Sequence, residues 1–386
     1  LSPLYKILKD KGSVYGSKNG WERPLWFAPK GVEPIDQLDF LNPGWHKYVA
    51  EEHRSVREKV ALIDQTSFGK FELFGNGSLD LLQYLTTCNM DKPIGSVIYS
   101  QLCNEKGGIE ADLTITRLNL EHFYIVTGST FGIHDADWIR QHIPKEKSIY
   151  LIDVSSSRAV INICGPKSRE VLQKVSENDL SNISFPFGTA KEIIIGSAKV
   201  LAIRIGYVGE LGWELHIPTE FTHHVYKLLS KTGEKYGIRD IGYRAIESLR
   251  IEKGYLYWSS DITPDYTPLE AGLDFRVHLK SKGDFIGKEA LKKQKINGIK
   301  SKLCTFISEK KLSLFGGETI LLNGKTVSLA TSAGYGFTVN KTIIFGYLDT
   351  GILDSFDFEI EVFGEQYPIK KVDGPMYDSQ NKQLKI

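Results

Sequence analysis

The sequence predicts an α+β body followed by a small antiparallel β domain. Over residues 47 to 284, strand-like and helix-like runs alternate in mixed order, without the regular strand-helix-strand period of a doubly wound sheet. From about residue 285 the pattern changes to short strand-like runs separated by Gly and Asn with little helix, as expected of a small barrel or sandwich. The chain has 386 residues, 41% apolar and 25% charged, enough for the cores of two or three domains of ordinary globular composition.

Residues 1–46 form an aromatic, turn-rich extension. YGSKNGWERPLWFAPKG places Trp21, Trp26 and Phe27 among Gly and Pro, which reads as a loop pinned to a neighbour by large apolar side chains. In WHKYVAEEHRSVREKVALID, Tyr48, Val49, Val56 and Val60 fall near helical spacing with charges between them, predicting an amphipathic helix. KFELF, the helix SLDLLQYLTT and the strand SVIYSQLCN follow. NEKGGIEADLTITRL then releases two glycines into a strand. Alternation puts Ile109, Ala111, Leu113 and Ile115 on one face, and Glu110, Asp112, Thr114 and Thr116 on the other. HFYIVTGS is its expected antiparallel partner. A helix containing DADWIRQHI leads to RAVINICG, SREVLQKV, EIIIG, KVLAIRIGYVGE, GWELHIP and the helix FTHHVYKLLSKTGEKYG. After the helix FIGKEALKKQK, the strands CTFIS, ETILLNGKTVSLATS, KTIIFGYLD and FEIEVFGEQYPIKKV make up the last domain, residues 285–386.

With 48 basic and 47 acidic residues, no global charge draws the protein to nucleic acid or to an anionic membrane. No apolar run reaches bilayer length, and LSPLYKILKDKG lacks a signal-peptide core. Four scattered cysteines, with no CxxC pair and no zinc-ligand spacing, predict neither a disulfide framework nor a metal site. A reducing compartment is expected, the cytoplasm or, in a eukaryote, the mitochondrial matrix. The start at Leu1 instead of Met leads us to expect a piece of something longer.

GxGxxG, the P-loop, HExxH and GxSxG are all missing. GYVGELG reads as a turn between strands, and His223 and His224 point apart on a helix. Two carboxylates remain, each in a strand just after a glycine turn: Asp112 after GGIEA and Glu214 after GELGW. Glycine there lets the backbone approach a ligand closely. A carboxylate beside a narrow cleft can accept paired N–H donors from a flat heterocycle or take a proton from an amine. Solvated or salt-bridged surface acids are the competing reading of both, and core packing that of the aromatics.

GGIEADLTITRL, GYVGELGWELHIP, YRAIESLRIEKGYLYW with PLEAGLDF, DFIGKEAL and GYGFTVNKTIIFGY together resemble the glycine-cleavage aminomethyltransferase (T-protein) family. YGSKNGWERPLWF and VREKVALIDQTSFGKFEL resemble more narrowly the folate-binding C-terminal half of dimethylglycine and sarcosine dehydrogenases. The resemblance implies three subdomains in a cloverleaf around a central channel that holds tetrahydrofolate, with residues 47–284 as the folate-binding body. It makes Asp112 the acid near N10 of the folate. It makes Glu214 the carboxylate gripping the pterin edge, with Tyr207 a neighbouring contact. Tyr99 and Phe275 would pack on the folate, Thr114 and Val126 would line the same wall, and Arg244 would reach the glutamate tail. Glu110 inherits no role and stays a surface acid; Arg250 is expected to anchor packing.

Two departures bear on function. Where T-proteins usually carry two successive acids, this chain has Ala111 and Asp112, and an arginine often found before ESLR is Ile246 here. The flavin half of the dehydrogenases is not in this sequence, so amine oxidation would fall to a flavoprotein dehydrogenase partner. The expected activity is a tetrahydrofolate-dependent transfer that captures an iminium or formaldehyde equivalent from a small methylated amine, giving 5,10-methylenetetrahydrofolate. The alternatives are direct methyl transfer from another small methyl donor to give 5-methyltetrahydrofolate, or a non-catalytic folate-binding subunit of a flavin amine dehydrogenase.

Overall fold

In the computed structural model, which describes residues 1–37, 39–41 and 43–386, the body resolves into two sheets. The first orders its five strands Val97–Cys103, Ile109–Asn119, His122–Thr127, Gly69–Phe74 and Tyr150–Asp153, all antiparallel. Phe71, Leu73, Leu113, Ile115, Phe123 and Ile125 make one face of it apolar. That face buries against Leu81, Leu82 and Leu85 of helix Ser78–Leu85 and against Ala136 and Ile139 of helix Gly132–Gln141. Each of the leucine, isoleucine and phenylalanine side chains among them contributes about 1.5–3 kcal/mol. A one-residue slip would expose the whole set, so the register is fixed and the opposite face is left to the polar residues.

The second sheet orders Ala190–Ile195, Ala198–Ile203, Gly212–Pro218, Arg158–Cys164, Ala61–Asp64 and Arg239–Asp240, the last pair parallel. Its apolar face, with Ile161, Ile163, Val200, Trp213 and Leu215, covers helices Ser168–Gln173 and Thr222–Gly233. The remaining faces of the two sheets turn toward each other. Tyr124 of the first packs with Ala190, Leu201 and Ile203 of the second, and the edges are joined by Val97 N donating to Gly188 O at 2.9 Å.

The Asp112 strand departs from simple alternation at one point. Leu102 pairs with Ala111 and Cys103 with Ile109, so Glu110 is an extra residue, a β-bulge. The bulge resets the parity of the strand. Ile109 therefore leaves the Ala111 face on which alternation placed it and packs with Tyr99, Ile262 and Leu273. The glycines before it allow close approach: a Cβ on Gly108 would lie 1.9 Å from the Pro264 carbonyl oxygen. Gly108→Ala is expected to push that loop off the strand and cost about 1–3 kcal/mol, read as a lower denaturation midpoint.

The first 46 residues hold more structure than the expected loop. Leu4, just before helix Tyr5–Asp10, and Leu8 within it enter the core of the second sheet, and Ser13–Lys18 pairs with Trp21–Phe27 as a hairpin. Trp26 stacks on Tyr48 of helix His46–Glu58 with ring centres 5.4 Å apart. At the far end, Ser301–Ser308, Lys341–Asp349, Lys325–Gly336, Thr319–Leu322, Phe358–Val362 and Glu365–Val372 close into a barrel around Phe306, Ile344, Phe358 and Ile360. Closure leaves no open sheet edge. Between body and barrel runs the connection 254–286, tied to the barrel by Tyr347 donating to Asp261 O at 2.8 Å and to the Asp112 strand by Trp258 Nε1 donating to Ile109 O at 3.2 Å. Arg250 is buried at this junction, bonded to Glu247, Asp261, Ser332 and the Tyr255 carbonyl, a packing anchor.

Candidate functional site

Six of the residues singled out in the sequence lie along the seam between the two sheets. Asp112 and Thr114 project from the strand Ile109–Asn119; Tyr99 and Val126 flank Thr114 on the two neighbouring strands. Glu214 projects from the facing sheet, and Tyr207 sits in the turn that leads to it. All six are half-buried, while their strand neighbours Leu113, Ile115, Ile125 and Leu215 are fully buried. The polar face of the Asp112 strand therefore meets a second protein layer and not open water.

Gln101, directly across from Asp112, donates Nε2 to Asp112 Oδ1 at 2.8 Å. Burial pushes the Asp112 carboxyl up to about 6, moderated by Gln101 and the Tyr99 phenol and reinforced by Asp135. A carboxylate so placed is a better proton acceptor near neutral pH than an ordinary aspartate. Burial pushes the phenols of Tyr99 and Tyr207 upward, with Asp112 a further cause for both. Both rings stay neutral. Tyr207 donates to the Leu256 carbonyl at 2.6 Å and stacks on Tyr255, which fixes the turn before Glu214.

On the facing sheet Glu214 stands beside His216, whose Nε2 lies 3.7 Å from Glu214 Oε2, too long for a hydrogen bond. His216 Nδ1 meets the Tyr124 hydroxyl at 2.9 Å, and burial keeps its imidazole neutral by lowering its pKa.

Two of the sequence candidates lie apart from this group. Phe275 is 62% exposed, beneath Arg276, so it is no core residue; Arg276 also reaches over the Tyr99 ring at 5.6 Å and so links Phe275 to the seam. Arg244 is held by the chain's own carboxylate: Nη1 and Nη2 donate to the two oxygens of Asp36 at 2.5 and 2.6 Å, over the Trp45 ring. A ligand carboxylate would have to displace Asp36 to reach it. Glu110 is not the surface acid expected of it. It accepts from Asn104 at 2.8 Å and lies 3.6 Å from His134, which also meets Asp135 at 3.0 Å. Gln101, His216, Tyr124 and Arg276 carry no local motif; pairing partners to the two acids were the only available signal.

Whether the seam suits a flat, polar heterocycle is tested by its unpaired groups. Gln101 Oε1, Thr116 Oγ1, His216 Nε2 and both side-chain atoms of Asn162 are buried without a hydrogen-bond partner among the described residues. Thr116 and Gln101 belong to the Asp112 face, Asn162 and His216 to the Glu214 face. Buried polar groups are normally satisfied, and leaving one unpaired costs about 1–3 kcal/mol. Donors and acceptors on both walls, along the seam that also holds Tyr99 and Tyr207, fit a reduced pterin.

The family model for the GCVT N-terminal domain matches residues 4–281, and that for the glycine cleavage T-protein C-terminal barrel domain matches residues 302–378. The chain belongs to the glycine cleavage T-protein family. It is 35% identical to the mitochondrial sarcosine dehydrogenase of Homo sapiens over 99% of this chain but only 47% of that protein. To the aminomethyltransferase of Synechocystis sp. it is 31% identical, over 99% of this chain and 97% of the other. Among solved structures, aminomethyltransferase T of the Bartonella henselae glycine cleavage system superposes with a TM-score of 0.82 at 23% identity, over 98% of both chains. This T-protein family chain thus has the fold of a complete T-protein and spans just under half the length of the dehydrogenase it matches. No helix among the described residues is long and apolar enough to cross a membrane.

Proposed function

We propose that this chain is a tetrahydrofolate-dependent one-carbon transferase that captures an iminium or formaldehyde equivalent from a small N-methylated amine. The observation that carries the reading is Asp112, a carboxylate facing the seam, held by Gln101 and raised by burial to about 6. Reduced folate, when bound, supplies two secondary amines that accept the carbon as a methylene bridge. Glu214 would hold the heterocycle by its N–H edge, with Tyr99 and Tyr207 against its faces and Thr114 and Val126 along its side. Asp112 would take the proton that the N10 amine loses as the bridge closes; its raised pKa makes it the better acceptor, and at about 6 it still lies below neutral pH, so the proton passes on to water. For an iminium donor, the carbon–nitrogen bond to the donor breaks and the donor leaves as the amine lacking that one carbon, primary or secondary according to how many methyl groups it carried, so no oxidant is consumed in this step. The oxidation that makes the iminium would be the work of a flavoprotein partner, as the likeness to sarcosine dehydrogenase suggests.

The test is the mass of the folate product. With a flavin amine dehydrogenase turning over a methylated amine, tetrahydrofolate is expected to gain a methylene bridge faster with this chain present than in its absence, where free formaldehyde condenses with the folate unaided. The gain is 12 mass units as one carbon enters and two N–H hydrogens leave. A gain of 14, a methyl group, would assign direct methyl transfer. No change at all, with folate bound, would leave the chain a folate-binding subunit.

A further inference from the structure

We propose that Asn162 is a further ligand-binding residue, one that presents its carboxamide to the same heterocycle edge as Glu214; this rests on the folate reading above. Asn162 lies on strand Arg158–Cys164 directly across from Glu214, so the two side chains stand side by side on the face turned toward the Asp112 sheet. The residues on either side, Ile161 and Ile163, point the other way into the apolar core. Asn162 is 1% exposed, and neither its Oδ1 nor its Nδ2 has a hydrogen-bond partner among the described residues.

An apolar residue at this position would be expected if packing alone mattered. An amide with neither end bonded among the described residues costs free energy in the ligand-free fold. Its neighbour points the same way: His216, two residues along from Glu214, is buried and its Nε2 also has no hydrogen-bond partner among the described residues. One acceptor and one donor next to a carboxylate match a fused ring that carries an amide-like oxygen and N–H beside an amino group. The carboxylate takes the amino edge and the carboxamide takes the oxygen and N–H. The part of the folate so recognised is the pterin, not the p-aminobenzoylglutamate tail.

The experiment compares wild type with Asn162→Leu, close to asparagine in shape, and with Asn162→Ala, by titration calorimetry against tetrahydrofolate, 6-methyltetrahydropterin and p-aminobenzoylglutamate. Thermal unfolding of the ligand-free proteins is measured alongside. Asn162→Leu is expected to bind tetrahydrofolate and the pterin fragment about tenfold more weakly, to bind the tail fragment unchanged, and to unfold at a higher temperature than wild type. Unchanged affinity for both tetrahydrofolate and the pterin overturns the assignment. So does a lower unfolding temperature of the leucine variant, since Asn162 would then be serving the fold. Asn162→Ala, which leaves space instead of shape, must show the same ordering of ligands. Failure of the wild type to bind any reduced folate is a separate result: it removes the folate reading itself, and is seen before any variant is compared.

Discussion

Asp112→Asn is expected to lower turnover by about 10²–10⁴-fold while leaving tetrahydrofolate affinity within a few-fold of wild type. The range is that of a positioned general base. Asparagine keeps the shape and loses the proton acceptor. Gln101 Oε1 has no hydrogen-bond partner among the described residues, so rotation of the amide lets it accept from the substituted asparagine's N–H in place of donating to a carboxylate. The site should therefore persist. With wild type, the acid limb of the rate profile is expected near pH 6, where the Asp112 carboxyl takes up its proton, and not near the ordinary value of 3.8. Retention of full turnover in the asparagine variant, measured as methylene-folate formed per second at saturating folate, would dismiss Asp112 as the base.

The same substitution has an opposite effect on stability, and the sign follows from the direction of the shift. A carboxyl raised in the folded state still holds its proton when the unfolded chain has released its own. Between 3.8 and about 6 the folded state therefore loses stability as pH rises, and above that the full cost stands. At about 1.4 kcal/mol per pH unit the ceiling is about 3 kcal/mol, and solvent reaching a half-buried carboxylate reduces it to about 1–2. Asp112→Asn is accordingly expected to raise the denaturation midpoint at pH 8 and to change it little at pH 4. An acid that weakens the fold it sits in is what a site kept for chemistry predicts, so a rise in stability on this substitution supports the role proposed for Asp112.

Local pattern carries much of this, and its failures have identifiable causes. The apolar faces of the strands at 109–119 and 212–218 follow from alternation, and with them the direction in which Asp112 and Glu214 point. The break at Glu110 does not, because a bulge is set by the partner strand and by the loop against Gly108, both distant in sequence. The hairpin in the first 46 residues does have a local signal, masked by the density of aromatic and turn residues around it: Asn19 and Gly20 sit between two strand-like runs and take up φ of 49° and 77°, the left-handed pair a two-residue turn requires. Asp36 taking Arg244, and Gln101 taking Asp112, join residues 208 and 11 positions apart through tertiary packing and strand pairing. No spacing rule finds the first. The second becomes findable once the register of Val97–Cys103 against Ile109–Asn119 is known. Asn162 is least visible of all, a single polar residue in RAVINICG with no motif around it, and only the lack of a partner among the described residues marks it.

Glu214→Gln is expected to weaken tetrahydrofolate binding by about 10–100-fold while turnover at saturating folate falls far less. A carboxylate receiving two N–H donors makes charge-assisted bonds of about 1.5–3 kcal/mol, and glutamine keeps one acceptor but turns an N–H toward the ligand's donors. The loss should fall on affinity because the pterin edge lies away from the nitrogen that reacts, so the contact is the same before and during bond formation. Neighbouring groups will not mask the change: His216 is too far from Glu214 for a hydrogen bond and is kept neutral by burial. Glu214→Asp supplies the control, since it retains the charge and shortens the reach; part of the affinity should return if charge is what counts. Calorimetry and steady-state rates on the same preparations separate the two acids. Asp112 variants that bind and do not turn over, beside Glu214 variants that turn over once folate is forced on, assign one carboxylate to each wall of the seam. If instead Glu214→Gln binds tetrahydrofolate as wild type does, the facing sheet does not grip the pterin, and the ligand must enter with its edge toward the Asp112 strand alone.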